Sequence, residues 1–162
     1  MSDMLVKLYA LEFKNFTKDL YSHNVLIKRA FITDKDTIVN FATQNFTHEH
    51  WSYECEYALY NNPISCHIAV KDTEIVGFSC YDATTKGFFG PMGVKDECRK
   101  LGIGKALLMQ SLYSMKESGY AYAIIGWVAN DAIPFYQKCV NAAIIEDSPP
   151  NKSIYKNMIL QK

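Results

Sequence analysis

The segment Arg99-Lys100-Leu101-Gly102-Ile103-Gly104-Lys105 places three cationic side chains around two glycines. That combination suits an anion. Glycine lets successive backbone N–H groups face one point and leaves room where a Cβ would stand. Arg99, Lys100 and Lys105 add formal positive charge. The pattern is not a nucleoside triphosphate loop of the form G-x-x-x-x-G-K-[ST]. Arg99 stands at its first glycine, and Ala106 replaces the hydroxyl that would hold magnesium. It is not the dinucleotide pattern G-x-G-x-x-G either, because Leu107 takes the third glycine. What remains is R-x-x-G-x-G.

The flanking sequence supplies the elements that must present this loop. Gly87 to Val94 reads as an extended strand before it, and a helix from Gly102 to Ser118 follows. Ile103, Leu107, Leu108, Leu112 and Met115 recur at helical spacing, and Gly119 suits a left-handed helix end. Unpaired N–H groups and the helix dipole make such a helix start an anion site. Tyr122 to Val128 lies within the longest apolar run, Tyr120–Ala129, and reads as a buried central strand. At about 20 residues for a membrane span, that run is too short to cross a bilayer.

The remaining elements alternate β and α. Met4–Tyr9 reads as a strand. Leu11, Phe13, Phe16, Leu20 and Tyr21 fit one face of a short helix, within an N-terminal extension of residues 1–23 that is otherwise hard to read. Val25–Ala30 reads as a strand. Thr33-Asp34 offers the N-cap of a helix to Phe46, with Ile38, Phe41, Ala42 and Phe46 inward. Thr47 offers the cap of a second helix to about Tyr60, ended by Asn61-Asn62-Pro63. Ser65–Val70 and Glu74–Tyr81 form a hairpin around Lys71-Asp72-Thr73. Ala132–Val140 is a short helix, and the tail is expected to hold one or two strands, including Ile154–Leu160. Pro149-Pro150 marks a loop. The fold class is α/β, one mixed sheet in a single domain spanning residues 1–162.

With its strand and helix, the loop resembles motif A of the GNAT acetyltransferases, [QR]-x-x-G-x-[GA]. Downstream, Asn130 and Phe135-Tyr136-Gln137-Lys138 look like motif B of that family. The order of elements from Val25 onward fits as well. The resemblance implies a GNAT-like fold, with a central mixed sheet, helices on both faces and a splayed strand pair holding coenzyme A. It implies acetyl-CoA as the acetyl donor, its pyrophosphate on the backbone of Arg99 to Ala106. Met92, Gly93 and Val94 would give main-chain contacts to the pantetheine arm, with Asn130 and Tyr136 also touching the cofactor. Two departures stand out: the Asn130–Tyr136 spacing is one residue shorter than the commonest form, and Asn141 sits where a glycine is frequent. Asparagine tolerates the left-handed region.

On that resemblance the chemistry is attack of an amine on bound acetyl-CoA without a covalent enzyme intermediate. The thioester carbonyl needs N–H groups that polarise it. In the strand Gly90-Pro91-Met92-Gly93-Val94, Pro91 cannot donate to a ladder and Gly93 weakens the strand, so pairing is expected to be interrupted. Tyr136 is the candidate general acid to the leaving thiolate, phenol and thiol having reference pKa values of about 10 and 8.5. Glu54 and Glu56 are candidate bases, on the helix that borders the acceptor site in this family. Two residues apart, they do not share a helix face. A water chain is the other route. A non-catalytic acyl-CoA-binding module is the alternative reading, and a nucleotide-binding switch a weaker one. His67, alternating with apolar neighbours, is expected to be structural.

Composition narrows the partners. Seventeen basic residues balance seventeen acidic ones, so no overall field favours nucleic acid or anionic lipid. Neither is expected as a partner. Five cysteines, an odd number with no C-x-x-C, argue against a disulfide framework and a zinc site and for reduced thiols in the cytoplasm. No secretory signal is visible. His48, Glu49 and His50 lack the spacing of a zinc-protease helix, and no metal is expected. The acceptor is expected to be a small-molecule or peptide amine. Trp51, Tyr53, Glu54, Glu56, Tyr81 and Asp82 would suit a cationic or amphipathic one. The aromatic content admits a homodimer.

Overall fold

Period-two alternation sorts the strand side chains onto two faces of one sheet. The computed structural model describes residues 1–47 and 50–159. Its strands are β1 (Ser2–Lys7), β2 (Val25–Arg29), β3 (Cys66–Lys71), β4 (Glu74–Tyr81), β5 (Phe88–Val94), β6 (Tyr122–Val128) and β7 (Ala143–Ile144). They form one mixed sheet in the order β2-β3-β4-β5-β6-β1-β7. The helices are α1 (Lys35–Asn45), α2 (Trp51–Leu59), α3 (Ile103–Glu117) and α4 (Ile133–Val140).

Helices cover both faces. Cys66, Ile68, Phe78 and Cys80 point to the side where Ile38, Phe41 and Ala42 of α1 and Cys55, Ala58 and Leu59 of α2 pack. Ala69 and Val76 point to the other side, against Ile103, Ala106 and Leu107 of α3. On that same side Leu108, Leu112 and Met115 of α3 meet Val6, Phe89, Ala123 and Ile125, and α4 joins through Phe135, Tyr136 and Val140. At roughly 25 cal/mol per Å² of apolar surface, these clusters are the main favourable contribution to folding.

The expected strands and helices largely form, with displaced ends. The second helix starts at Trp51 after His50, not at Thr47. His50 is left-handed at φ 53°, a conformation that cannot begin a right-handed helix earlier. The N-terminal residues differ more. They make a strand, then two 3-10 turns, Leu8–Ala10 and Lys18–His23, instead of an amphipathic helix. Asn15 between them has φ 46°, which breaks any continuous helix. Leu11, Phe13 and Phe16 still pack on the core, but Tyr21 is 63% exposed.

The tail is the clearest correction. Ile154–Leu160 is not a strand: Ile154–Asn157 is a 3-10 turn, Met158 and Ile159 carry no regular structure, and Leu160 lies outside the described residues. The reason is competition for the sheet. β1 already occupies the antiparallel position beside β6, with Leu5 opposite Ile124 and Lys7 opposite Tyr122. β7 adds only Ala143 and Ile144 outside it. The chain after Pro149 instead turns back, Lys152 N–H donating to the Pro149 carbonyl at 2.8 Å.

Candidate active site

β5 and β6 are parallel neighbours for only two register pairs, Phe88 with Ile124 and Phe89 with Ile125. Each strand carries an irregularity just beyond. In β5 the register against β4 shifts between Ser79 and Tyr81, at Gly90, whose φ of 117° requires glycine, and Pro91, which has no ladder donor. In β6 the register against β1 shifts opposite Asp3, and Trp127 is left-handed at φ 51°. The strands therefore part after Phe89 and Ile125, as the Gly-Pro sequence led us to expect.

The β5 edge of this opening is backbone. Lys95 N–H donates to the Val76 carbonyl at 2.8 Å. Antiparallel alternation then pairs Gly93 with Phe78 and turns the N–H and C=O groups of Met92 and Val94 away from β4, toward the opening. Gly93 serves differently from these two. A Cβ there would overlap the Phe46 ring, so glycine lets that ring lie against the strand.

At the end of the opening stands the start of α3. Gly102, its N-cap, has φ 85°, and no side chain caps the helix. Lys100 is also left-handed at φ 71°. The helical ladder begins with Ala106 N–H to the Gly102 carbonyl at 3.0 Å, so the amides of Ile103, Gly104 and Lys105 precede it and the Ala106 amide is occupied. A Cβ on Gly102 would meet nothing within 4 Å, and on Gly104 only ordinary contacts with Phe135 (3.7 Å) and Val94 (3.9 Å). Packing inside the protein does not require glycine at 104, so its face is open to a ligand. Ile103 is buried and Leu101 half-buried, anchoring the loop. Arg99 pairs with Asp96 at 3.0 Å, while Lys105 is exposed. This cradle fits a pyrophosphate.

Two titratable groups reach this region from opposite faces. Tyr136 of α4 packs edge-on against Phe89, ring centroids 6.4 Å apart, at the last paired residue of β5. Its hydroxyl makes no hydrogen bond among the described residues, and burial pushes its pKa up to about 12, with Cys139 adding. On the other face Glu54 of α2 accepts a hydrogen bond from Thr84 of the β4–β5 loop. Burial raises the Glu54 carboxyl, and the Thr84 bond opposes this. Glu56 turns away to Lys35, at 3.2 Å. Asn130 lies in the turn after β6, its amide oxygen accepting from the Met1 amino group at 2.8 Å. Asn141 takes the left-handed position after α4, at φ 50°.

Sequence reading missed Thr84, Asp3, Trp127 and Tyr155. Asp3 is buried; it accepts from Trp127 N–H at 2.8 Å and from the Ser153 hydroxyl at 2.6 Å. Tyr155 packs against Trp127 at a tilt of 56°, with centroids 5.1 Å apart. Nothing in the local pattern signals a partnership between residues some 150 apart. His67 is buried, Nδ1 3.0 Å from Ser111 Oγ and Nε2 3.3 Å from Ser114 Oγ. His50 stacks on Tyr53, while His48 and Glu49 lie outside the described residues. Among the described residues no group of three His, Cys, Asp or Glu side chains could hold a metal.

Residues 30–140 match the acetyltransferase (GNAT) family. This chain belongs to that family. As a GNAT domain it resembles solved structures at low identity. A GCN5-related glucosamine N-acetyltransferase region of a fungal multi-domain GH3 beta-N-acetylglucosaminidase aligns with a TM-score of 0.72 and 13% identity, over 89% of this chain and 19% of that one. A GCN5-related N-acetyltransferase from Sphaerobacter thermophilus gives 0.65 and 19%, over 89% of this chain and 48% of that one. Ribosomal-protein-alanine N-acetyltransferase from Brucella melitensis gives 0.58 and 19%, over 77% and 96%. This chain thus spans a fifth and about half of the first two. No curated relative matches it. GNAT membership supports acetyl transfer with acetyl-CoA as donor in general terms. No helix among the described residues is long and apolar enough to cross a membrane.

Proposed function

We propose that this GNAT domain transfers the acetyl group of acetyl-CoA to a primary amine by direct attack. The observation that carries the reading is the parting of β5 and β6 between a backbone-lined edge and the uncapped start of α3, with Glu54 and Tyr136 approaching from opposite faces. The amides of Ile103, Gly104 and Lys105 hold the pyrophosphate, and Met92 and Val94 hold the pantetheine arm. Glu54 takes a proton from the incoming ammonium. The neutral nitrogen adds to the thioester carbon, the C–N bond forms, the C–S bond breaks, and Tyr136 gives its proton to the sulfur; the surplus proton on the new amide nitrogen leaves through water and restores the Tyr136 phenol, while Glu54 releases its proton to solvent.

Transfer from a phenol at about 12 to a thiolate of reference pKa about 8.5 is uphill by roughly 5 kcal/mol. The same exclusion of water raises the thiol, which narrows the gap as the thiolate forms. The acceptor is a small-molecule or peptide amine. Five unpaired cysteines, four of them buried, favour a reducing compartment, and we assign the protein to the cytoplasm.

The test is thiol release from acetyl-CoA with amines present, beside calorimetric titration with acetyl-CoA. The expected outcome is selective acetyl-CoA binding and amine-dependent release of thiol. Tyr136→Phe should lower turnover about 100-fold, within the usual range for a general acid, with acetyl-CoA affinity nearly unchanged. Binding without release in the presence of any amine would make the domain a non-catalytic acyl-CoA module.

A further inference from the structure

Tyr155 is 9% exposed, yet among the described residues its hydroxyl has no hydrogen-bond partner. A buried phenol ordinarily has one. No side-chain N or O atom that is fully sealed among the described residues lacks a partner. The Tyr155 oxygen is thus not a sealed, orphaned atom. It lies against Gly126, where any Cβ would overlap it, and the Phe88 ring would stand 2.8 Å from the same Cβ. Gly126 directly follows Ile125, the last β6 residue paired with β5. The hydroxyl, without a partner among the described residues, thus sits where the strands part.

Its position is fixed from three sides. The ring packs at a tilt against Trp127. Two residues before Tyr155, Ser153 donates to the Asp3 carboxylate, and the same carboxylate holds the bulged Trp127 N–H. Burial raises the Tyr155 pKa, and the negative charges of Asp3 and Glu54 raise it further. Phe89 and Ile125 face α3, so by alternation Phe88 and the Cβ position of Gly126, where the Tyr155 hydroxyl lies, face the side that α2 and its Glu54 cover. A phenol held neutral retains acceptor lone pairs.

We propose that Tyr155 contacts the acceptor, its oxygen accepting an N–H of the incoming amine beside Glu54. This rests on amine transfer as argued above. An attacking nitrogen must aim its lone pair at the thioester carbon while its N–H groups point elsewhere. Glu54 takes one proton, and Tyr155 gives a remaining N–H an acceptor on a rigid support. The N-terminal strand thus helps build the acceptor side, Asp3 acting as a positioning residue.

The experiment compares wild type, Tyr155→Phe and Asp3→Asn by thiol release from acetyl-CoA, using spermidine, glucosamine and phenethylamine as probes. One lost hydrogen bond to substrate corresponds to about a 10-fold fall in kcat/KM for the amine. That fall is expected in Tyr155→Phe, with the KM for acetyl-CoA and the melting temperature unchanged, and a smaller fall in the same direction in Asp3→Asn. A Tyr155→Phe variant equal to wild type overturns the assignment. So does one that loses amine and acetyl-CoA kinetics or thermal stability together, since that marks a structural role. If the wild type releases no thiol with any probe while binding acetyl-CoA, the amine-transfer reading itself fails and takes this one with it.

Discussion

Glu54 and Glu56 show how two residues of one type, two positions apart, acquire different chemistry. Helical geometry sends them to different faces. Glu56 meets Lys35 in a half-exposed ion pair, where water screens most of the attraction. Glu54 turns inward to Thr84, and burial lifts its carboxyl above the ordinary range. A raised carboxylate is a stronger base and so better matched to a protonated amine. A base works only when deprotonated. Activity should therefore fall as pH drops through the raised pKa, giving kcat/KM an acidic limb above the usual carboxylate value. Glu54→Gln should lower kcat/KM about 100-fold near neutrality and abolish that limb. A pH–rate profile of the variant checks this; a limb that survives would move the base elsewhere, for instance to a water chain.

The loop and helix that should hold the cofactor depend on charge only at their surface. Ile103 and Ala106 are buried and set the position of α3, whereas Lys105 is exposed, so Lys105→Glu should leave the fold intact. It should weaken acetyl-CoA binding about 10-fold at low salt, and less as salt screens the site. Titration at two ionic strengths measures both. This element was readable because its signals are local: glycines at a helix start, helical spacing behind them, and a Gly-Pro interruption in the preceding strand. The N-terminal strand and the tail were not readable together. Met4–Tyr9 overlaps the observed strand, which ends at Lys7 before a 3-10 turn, but where it pairs depends on residues more than 100 positions away. The apolar content of Ile154–Leu160 also suits a strand, but β1 already occupies the β6 edge. Tyr155 consequently belonged to a misread element, and the Asp3–Ser153–Trp127 contacts that place it have no local signature. Glycine 93 has a similar lesson: its reason is the Phe46 ring, which arrives from α1's far end.

Across the whole molecule, a buried polar network ties α3 to the sheet beneath it. His67 of β3 contacts Ser111 and Ser114 of α3. Ser111 meets the Ser79 hydroxyl at 2.8 Å, and Arg29 donates to Ser114 at 3.1 Å and to Tyr81 at 3.0 Å. Burial, reinforced by the Arg29 charge, lowers the His67 pKa to about 3, against about 6.5 in the unfolded chain. The folded protein therefore keeps this ring neutral while the unfolded chain protonates it. Below pH 6.5 the unfolded state binds more protons, so stability contributed by neutral His67 is complete above that pH. It is lost progressively as pH falls toward 3. At 1.36 kcal/mol per pH unit, the loss from this residue alone by pH 4.5 is roughly 2 to 3 kcal/mol. His67→Gln retains polar atoms for the serines but cannot titrate. It should be less stable than wild type at pH 7.5, by about 1 to 3 kcal/mol for imperfectly replaced buried hydrogen bonds. Its stability should also fall less steeply between pH 6.5 and 4.5. Denaturant midpoints at those pH values separate the two effects. A variant as acid-sensitive as the wild type would show that His67 is not what couples the seating of α3, and with it the anion loop, to pH.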